Sequence, residues 1–211
     1  MQTLPNPFEE YPDRFDDWFE KNRAVYESEL LAVRTASPEV GLGLEIGVGT
    51  GRFAEPLGVK IGIDPALNAL KMAQSRGIVV VRAVGEQIPF KAETFDWVLL
   101  VTTICSLDDP EKALKECHRV LRKNGVLVIA MIDRESELGR QYEKRKQAST
   151  FYRFARFRST KEVEKILEYS NFEIEKYYQT LTSANSPGQR VEMPKQGFGQ
   201  GSFVVVRARK R

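Results

Sequence analysis

The sequence predicts an α/β fold: a Rossmann-like, doubly wound, seven-stranded and mostly parallel sheet, with one antiparallel strand at its end and an N-terminal helical lid. Three observations carry that expectation. From residue 41 onward, short apolar runs rich in Val, Ile and Leu recur at regular intervals. Near-continuous apolar runs of this kind belong to strands covered on both faces, as parallel sheets require. Helix-length segments separate the first five runs, which suits right-handed crossovers. Near the C-terminus two runs follow one another with no helix between them, and that implies an antiparallel pairing.

Residues 8–36 are helical in pattern and crowded with aromatics: Phe8, Tyr11, Phe15, Trp18, Phe19 and Tyr26. Trp18, Val25 and Leu30 to Val33 mark one apolar face. Ser37-Pro38 then breaks the helix. G-L-G-L-E-I, 41–46, reads as the first strand, followed by a glycine loop and a short helix from Thr50. V-K-I-G-I-D, 59–64, is the second strand, and Pro65 suits the first turn of the helix after it. Gly77 ends that helix, and the β-branched I-V-V-V-R-A-V is the third strand. F-D-W-V-L-L-V, 95–101, is the fourth. Asp109-Pro110 opens a helix with an acidic start and a basic finish, complementing its dipole. Asn124-Gly125 supplies a turn before the fifth strand, V-L-V-I-A-M-I. Residues 134–158 read as helix plus loop, and Ser159 or Thr160 caps the next helix. F-E-I-E-K-Y-Y-Q-T-L and G-S-F-V-V-V-R-A-R are the last two strands, joined by a Pro/Gly-rich loop over 182–201. We therefore expect a single domain over 1–211. It comprises a helical cap or lid (1–40), a ligand-binding core (41–133), an acceptor-side insertion (134–158) and a closing helix with two strands (159–211).

Bulk properties narrow the function classes. With 211 residues and a net charge of +3, the chain is mildly basic and no nucleic-acid coat. Its longest strongly apolar stretch, residues 97–107, falls short of the roughly 18 residues a membrane span needs. No membrane association is expected. The N-terminus shows no secretory pattern. Cys105 and Cys117 form no ligand pair and read as free thiols in a reducing compartment, so a cytoplasmic location is expected. With one histidine and no paired cysteines, no metal site is expected.

The chemistry concentrates in L-E-I-G-V-G-T-G-R, residues 44–52. In open α/β sheets, ligands bind beyond the carboxyl ends of the strands, near the point where strand order reverses. The glycine loop and the acid ending the second strand, Asp64, then share one site. Asp64 lies 19 residues after Glu45 and is placed to accept both hydroxyls of a ribose. At this point a dinucleotide and S-adenosylmethionine fit equally. Two details separate them. The dinucleotide fingerprint is G-x-G-x-x-G, whereas Gly47, Gly49 and Gly51 give G-x-G-x-G with Arg52 at the third fingerprint position. An ionised Glu45 would also repel a pyrophosphate, yet favour the ammonium and sulfonium of S-adenosylmethionine.

With these pieces in place, the chain resembles the class I S-adenosylmethionine-dependent methyltransferases, and within them the type 11 methyltransferase family. The matching stretches are L-E-I-G-V-G-T-G-R-F, G-I-D-P-A-L-N-A-L, G-E-Q-I-P-F with F-D-W-V-L-L-V, and D-D-P-E-K-A-L-K-E-C-H-R-V-L-R-K-N-G-V-L-V-I, in order across 42–132. R-F-D-D-W-F-E is similar to the family's lid element, and N-F-E-I-E-K with G-S-F-V-V-V-R-A to its last strands. The resemblance implies that Glu45, Gly47, Gly49 and Gly51 surround the methionine end of the cofactor. Asp64 would hold the ribose and Pro65 would lie beside the adenine. Where the family commonly has an Asp toward the adenine amino group, this chain has Val84, leaving the backbone amides of Gly85 and Glu86 to reach the ring. Thr102 would line the site near the sulfonium. Phe15 replaces the lid tyrosine, Lys123-Asn124 the usual Pro-Gly, and Ser106 a histidine before the Asp-Pro, which removes the easiest candidate base.

Methyl transfer is mainly a matter of alignment and desolvation, with a base needed only if the acceptor must lose a proton. The catalytic residues are therefore unknown from sequence, with Asp133 and Thr102 as weak candidates. Phe15 and Trp18 from the lid, with Arg134 and Tyr142, are expected on the acceptor side. His118 lies mid-helix and reads as structural, and Cys105 as a packing residue. The Pro-Cys motif of cytosine-C5 enzymes is absent, and T-T-I-C stands where adenine- and glutamine-methylating enzymes carry Asn-Pro-Pro-Tyr. F-Y-R-F-A-R-F-R-S-T-K, 151–161, interleaves bases and aromatics as RNA binders do, but the small net charge favours a solvated basic edge. The expected partner is a small-molecule acceptor, with N or O methylated and an amine among the options, and not nucleic acid. The alternatives are an RNA methyltransferase, a nicotinamide-dependent reductase and a non-catalytic S-adenosylmethionine-binding protein. Oligomeric state is not readable.

Overall fold

The computed structural model describes residues 6–182 and 190–211. The expected run of helix over 8–36 is three helices: α1 (Pro7–Glu10), α2 (Pro12–Lys21) and α3 (Arg23–Ala36). The first break falls at Tyr11, where the following proline disfavours helical backbone. The second falls at Asn22, whose side chain donates back to the Trp18 carbonyl at 2.9 Å.

The core follows in order as β1 (Gly43–Ile46), α4 (Ala54–Leu57), β2 (Ile61–Asp64), α5 (Leu67–Ser75), β3 (Val79–Arg82), β4 (Phe95–Val101), α6 (Pro110–Val120) and β5 (Leu121–Ile132). The helix expected from Thr50 is confined to Ala54–Leu57, because the glycine loop occupies the residues before it. Asp109 caps α6 by accepting from the Lys112 amide at 2.9 Å. The expected turn at Asn124-Gly125 is a left-handed kink inside β5, with Asn124 at φ +62°, where the register with β4 shifts. Beyond β5 come α7 (Glu137–Arg145), a short 3-10 turn, α8 (Thr160–Tyr169), β6 (Phe172–Thr180), β7 (Lys195–Gln196) and β8 (Phe203–Lys210). Ser159 and Glu162 close a reciprocal capping box at the start of α8.

Among the described residues, one eight-stranded sheet runs β3-β2-β1-β4-β5-β8-β6-β7. The β1–β5 pairings are parallel, and β8 is antiparallel to both β5 and β6. This corrects the expected seven strands with one antiparallel strand at the end. The antiparallel strand is interior, and β7, two residues long, adds an eighth at the edge beside β6. Burial explains the order. Phe203 to Val206 are wholly buried and need a neighbour on each side, whereas Glu173, Glu175 and Lys176 of β6 face water. The expected connecting loop 182–201 includes residues 183–189, which lie outside the described residues.

Alternation along β4 divides the core. Val98 and Leu100 pack with α6 and α8 on one face, while Trp97, Leu99 and Val101 pack with α3 and α5 on the other. The sheet is thus covered on both sides, and its strand order reverses between β1 and β4, where a ligand cleft is expected.

Candidate active site

The glycine loop is shaped by three different demands. The Gly47 and Val48 amides both donate to the Ile63 carbonyl, at 2.8 and 3.0 Å, tying the loop to β2. A Cβ on Gly47 would collide with Thr103, and one on Gly51 would meet Ile78 Cδ1 at 2.6 Å. Gly49 differs: the nearest atom to a Cβ there is Phe15 Cε1, at 3.9 Å. A side chain there would meet only the lid, in ordinary van der Waals contact with Phe15.

Asp64, 8% exposed, accepts from the Gly49 amide at 3.0 Å on one oxygen and from the Ala66 amide at 2.8 Å on the other. Burial raises its pKa above the ordinary carboxylate value despite those bonds. Glu45 is buried deeper, at 2% exposure, and its Oε2 has no hydrogen-bond partner. Burial first, then the Asp64 charge, pushes the Glu45 carboxyl well above its usual range. The electrostatic preference expected of an ionised Glu45 therefore depends on a cation arriving to restore its charge.

On the adenine side, Pro65, Leu67 and Val84 are exposed apolar residues at the ends of β2 and β3. Among the described residues, the Gly85 and Glu86 amides donate to no acceptor. The Glu86 carboxylate is engaged elsewhere, accepting from the Asp108 and Asp109 amides at 2.9 and 3.2 Å.

The lid is fixed from two directions. Glu9 accepts from the Asn68 amide at 3.1 Å, joining α1 to the start of α5. Phe15 packs edge-on against Phe8 and Phe19, and Trp18 edge-on against Phe19. Asp16 of α2 is buried and binds two cations. Arg52 of the glycine loop reaches it with Nε at 2.9 Å and a second contact through Nη2, and Arg76 with Nη2 at 2.9 Å. Burial opposes ionisation of Asp16, but the two guanidinium groups outweigh it and hold the carboxyl below its usual range. Arg52 thus bolts the lid to the glycine loop. The sequence carried no sign of that pairing, because Asp16 lies 36 residues from Arg52 and 60 from Arg76.

On the acceptor side, Thr102 follows β4 with φ +49°, a conformation rare for a β-branched residue and typical of strained functional positions. It borders a small cavity with Ile104, Cys105, Met131, Ile132, Tyr152, Phe157 and Arg158. The Cys105 thiol donates to the Thr102 carbonyl, and burial raises its pKa, so it is a packed thiol rather than a thiolate. Tyr142 stacks on Tyr152, with centroids 5.4 Å apart. Arg134 pairs with Glu162 of the α8 cap at 3.0 Å. Asp133 accepts from the Glu135 amide at 2.8 Å and from Thr160 Oγ1 at 2.6 Å, and faces a different cavity of about 370 Å³. His118 lies in α6 with its ring edge-on to Phe172.

The sequence reading also missed Glu29 of α3, buried at 6% exposure. The available signal was its position: it falls in the helical stripe of Tyr26, Val33 and Ala36, where an apolar residue belongs.

These residues fit S-adenosylmethionine on three observations. An orphaned oxygen on Glu45 suits a cationic donor, Gly49 meets only the ring of the lid's Phe15, and two free amides flank an apolar shelf. Similarity to known proteins agrees. Residues 44–129 match the profile of a methyltransferase domain. A Thermotoga maritima crystal structure, described as a SAM-dependent methyltransferase and possible histamine N-methyltransferase, is 46% identical. The match covers 97% of this chain and 98% of that one, with a TM-score of 0.93. An uncharacterized protein of Methanocaldococcus jannaschii is 43% identical over 97% of this chain and 99% of its own. A SAM-dependent methyltransferase of Aquifex aeolicus, 17% identical over 95% of this chain and 98% of that one with a TM-score of 0.65, shares the fold. The chain belongs to the S-adenosylmethionine-dependent methyltransferases.

Proposed function

We propose that the chain methylates a small molecule at nitrogen or oxygen, inside a compartment closed by the lid and by residues 134–158. The observation that carries the reading is the cavity beside Thr102. It is walled by Tyr152 and Phe157 from the 134–158 segment, and Tyr142 of that segment packs against the core beneath the lid helices. The cavity's free space is about 10 Å³, room for a single water-sized group, so the reacting end of a small acceptor suits it and a folded nucleic acid does not. The aromatics of 151–161 point the same way. Phe151 packs on Phe8 and Phe15, and Tyr152 on Phe157, which leaves Phe154, half exposed, as a single open ring beside Arg153 and Arg156 and short of a run of stacking rings. The Thermotoga protein, whose description names a small amine as its possible substrate, supports an amine among the acceptors.

S-adenosylmethionine supplies a methyl group already activated by positive sulfur. Glu45 and the glycine loop would hold its amino-acid end, Asp64 its ribose, and Pro65 with the Gly85 and Glu86 amides its adenine. Thr102 would set the floor where the acceptor approaches. Asp133 has its oxygens committed to a turn and to α8, so we assign it no catalytic role. Two free thiols and no helix long and apolar enough to cross a membrane, among the described residues, suit a cytoplasmic enzyme.

The test is calorimetric and chemical. S-adenosylhomocysteine should bind and NADH should not. A screen of amines, phenols and carboxylates should yield a methylated small molecule. Methylation of RNA alone, with a salt-dependent RNA shift lost on changing Arg153 and Arg156, would overturn the small-molecule reading.

A further inference from the structure

Buried acids in this protein are engaged, with two exceptions. Asp16 binds two arginines, while Asp64 and Asp133 are tied to backbone amides. Glu45 keeps an orphaned oxygen inside the cofactor cleft. Glu29 is the second exception. Among the described residues, no hydrogen bond or ion pair reaches its carboxyl group. Residues 183–189, S-A-N-S-P-G-Q, contain no cationic side chain that could serve it. Burial alone pushes the Glu29 carboxyl up to about 8. A carboxyl stranded in this way costs stability unless something arrives to pair with it.

Its surroundings are aromatic. A charge on Glu29 is felt at the hydroxyls of both Tyr142 and Tyr152. Tyr142 packs against the core beneath α3 on one side and against the cluster of Cys105, Ala155 and Phe157 on the other. The Tyr142–Tyr152 stack has both rings within 6 Å of Phe157, at 5.8 and 5.7 Å. Tyr152 and Phe157 in turn wall the cavity at Thr102. Ring faces and a desolvated carboxylate both attract cations, and the carboxylate repels an anionic guest. Arg158 borders the same cavity with its Nε unpartnered. A basic nitrogen beside that charge gives up its proton more readily, which keeps a lone pair free.

We propose that Glu29 is the anionic anchor for a small cationic amine acceptor, held against the Tyr142–Tyr152 stack while its nucleophilic atom reaches the cavity beside Thr102. This rests on the small-molecule reading above and names the class of acceptor it leaves open. Glu29 acts here as a binding and specificity residue. The Tyr142 and Tyr152 hydroxyls feel its charge, and among the described residues no cation is paired with it.

The test uses the full chain saturated with S-adenosylhomocysteine, which keeps Glu45 and Asp64 out of the signal. Titration with 2-phenylethylamine and with 2-phenylethanol, in two buffers of different ionisation enthalpy, compares a cation with its neutral counterpart. The amine should bind roughly tenfold more tightly and release about one proton near pH 7, as Glu29 ionises to meet it. Glu29→Gln keeps the shape and the neutral state of the empty pocket. It should retain S-adenosylhomocysteine affinity and lose both the preference and the proton release. Its kcat/KM for amine acceptors should fall by roughly tenfold. Should that variant fail to fold, Tyr142→Leu removes one ring face and should weaken amine binding by roughly threefold without changing alcohol binding. Equal binding of amine and alcohol, or a Glu29→Gln protein that keeps the preference and the proton release, overturns the proposal. Methylation of anionic or neutral acceptors alone sinks this inference and leaves the small-molecule reading intact. Absence of S-adenosylhomocysteine binding sinks both.

Discussion

The carboxyl ends of β2 and β5 carry the same local device and put it to different use. Each strand ends in a buried aspartate, Asp64 at 8% and Asp133 at 6% exposure. Each aspartate accepts from the amide two residues on, Ala66 or Glu135, and both bonds are 2.8 Å. The second oxygen separates them. On Asp133 it is taken by Thr160, through Oγ1 and the amide, which fixes the start of α8. On Asp64 it meets the Gly49 amide, in the loop that lies under Phe15 of the lid. A strand-end acid is thus left with the glycine loop or locked as a clamp according to what meets its second oxygen, and position in the sheet alone does not decide.

Asp64→Ala gives the largest expected separation. Affinity for S-adenosylhomocysteine should fall by roughly 100-fold or more, given a hydrogen-bonded charge worth about 1.5–3 kcal/mol per contact. Unchanged affinity in calorimetry would erase the distinction between the two strand ends.

Glu29 sharpens the contrast from a third direction, as a buried acid with no hydrogen-bond or ion-pair partner among the described residues. Its carboxyl holds a proton in the folded chain up to about pH 8, whereas the unfolded chain releases it near 4.5. Between those values the folded state binds more protons, so stability declines as pH rises, by about 1.4 kcal/mol per unit. Denaturant melts from pH 5 to 7 should show that slope on top of the one contributed by the raised Glu45 carboxyl, and Glu29→Gln should reduce the total by about 1.4 kcal/mol per unit. Identical slopes in the two proteins would place the acid's cost elsewhere.

Asp133→Ala should destabilise the fold by about 1–3 kcal/mol, by freeing Thr160 and the Glu135 amide, while S-adenosylhomocysteine affinity stays within a factor of about two. Loss of cofactor binding at full stability would reverse the roles assigned to the two aspartates. Smallest of all, Glu86→Gln weakens the contacts that hold the Asp108 and Asp109 amides ahead of α6. Thermal melts should register a loss of about 0.5–1 kcal/mol.

What was legible in the sequence follows from range. Strand four was readable to the residue, because Phe95–Val101 is apolar apart from Asp96 and ends at a turn. The glycine loop and Asp64 were readable because their spacing is set within one βαβ unit. The interior place of β8 was less so. Its signal, four successive buried residues against the charged alternation of β6, bears on sheet order rather than on secondary structure. Asp133 was ambiguous because Thr160, the residue that decides it, lies 27 positions away. Glu29 could be picked out as an acid in an apolar stripe, but its lack of a partner is a property of three-dimensional packing.

The bolt between Asp16, Arg52 and Arg76 bears on timing as well as shape. Phe15 cannot lift from above Gly49 while its neighbour Asp16 is held by two guanidinium groups that are each less than a fifth exposed. Exchange of whatever occupies the cleft must then wait for charged contacts to part. Dissolved salt weakens such contacts, most of all once they are wetted. Residence time in the cleft should accordingly shorten as ionic strength rises, even where equilibrium affinity scarcely moves.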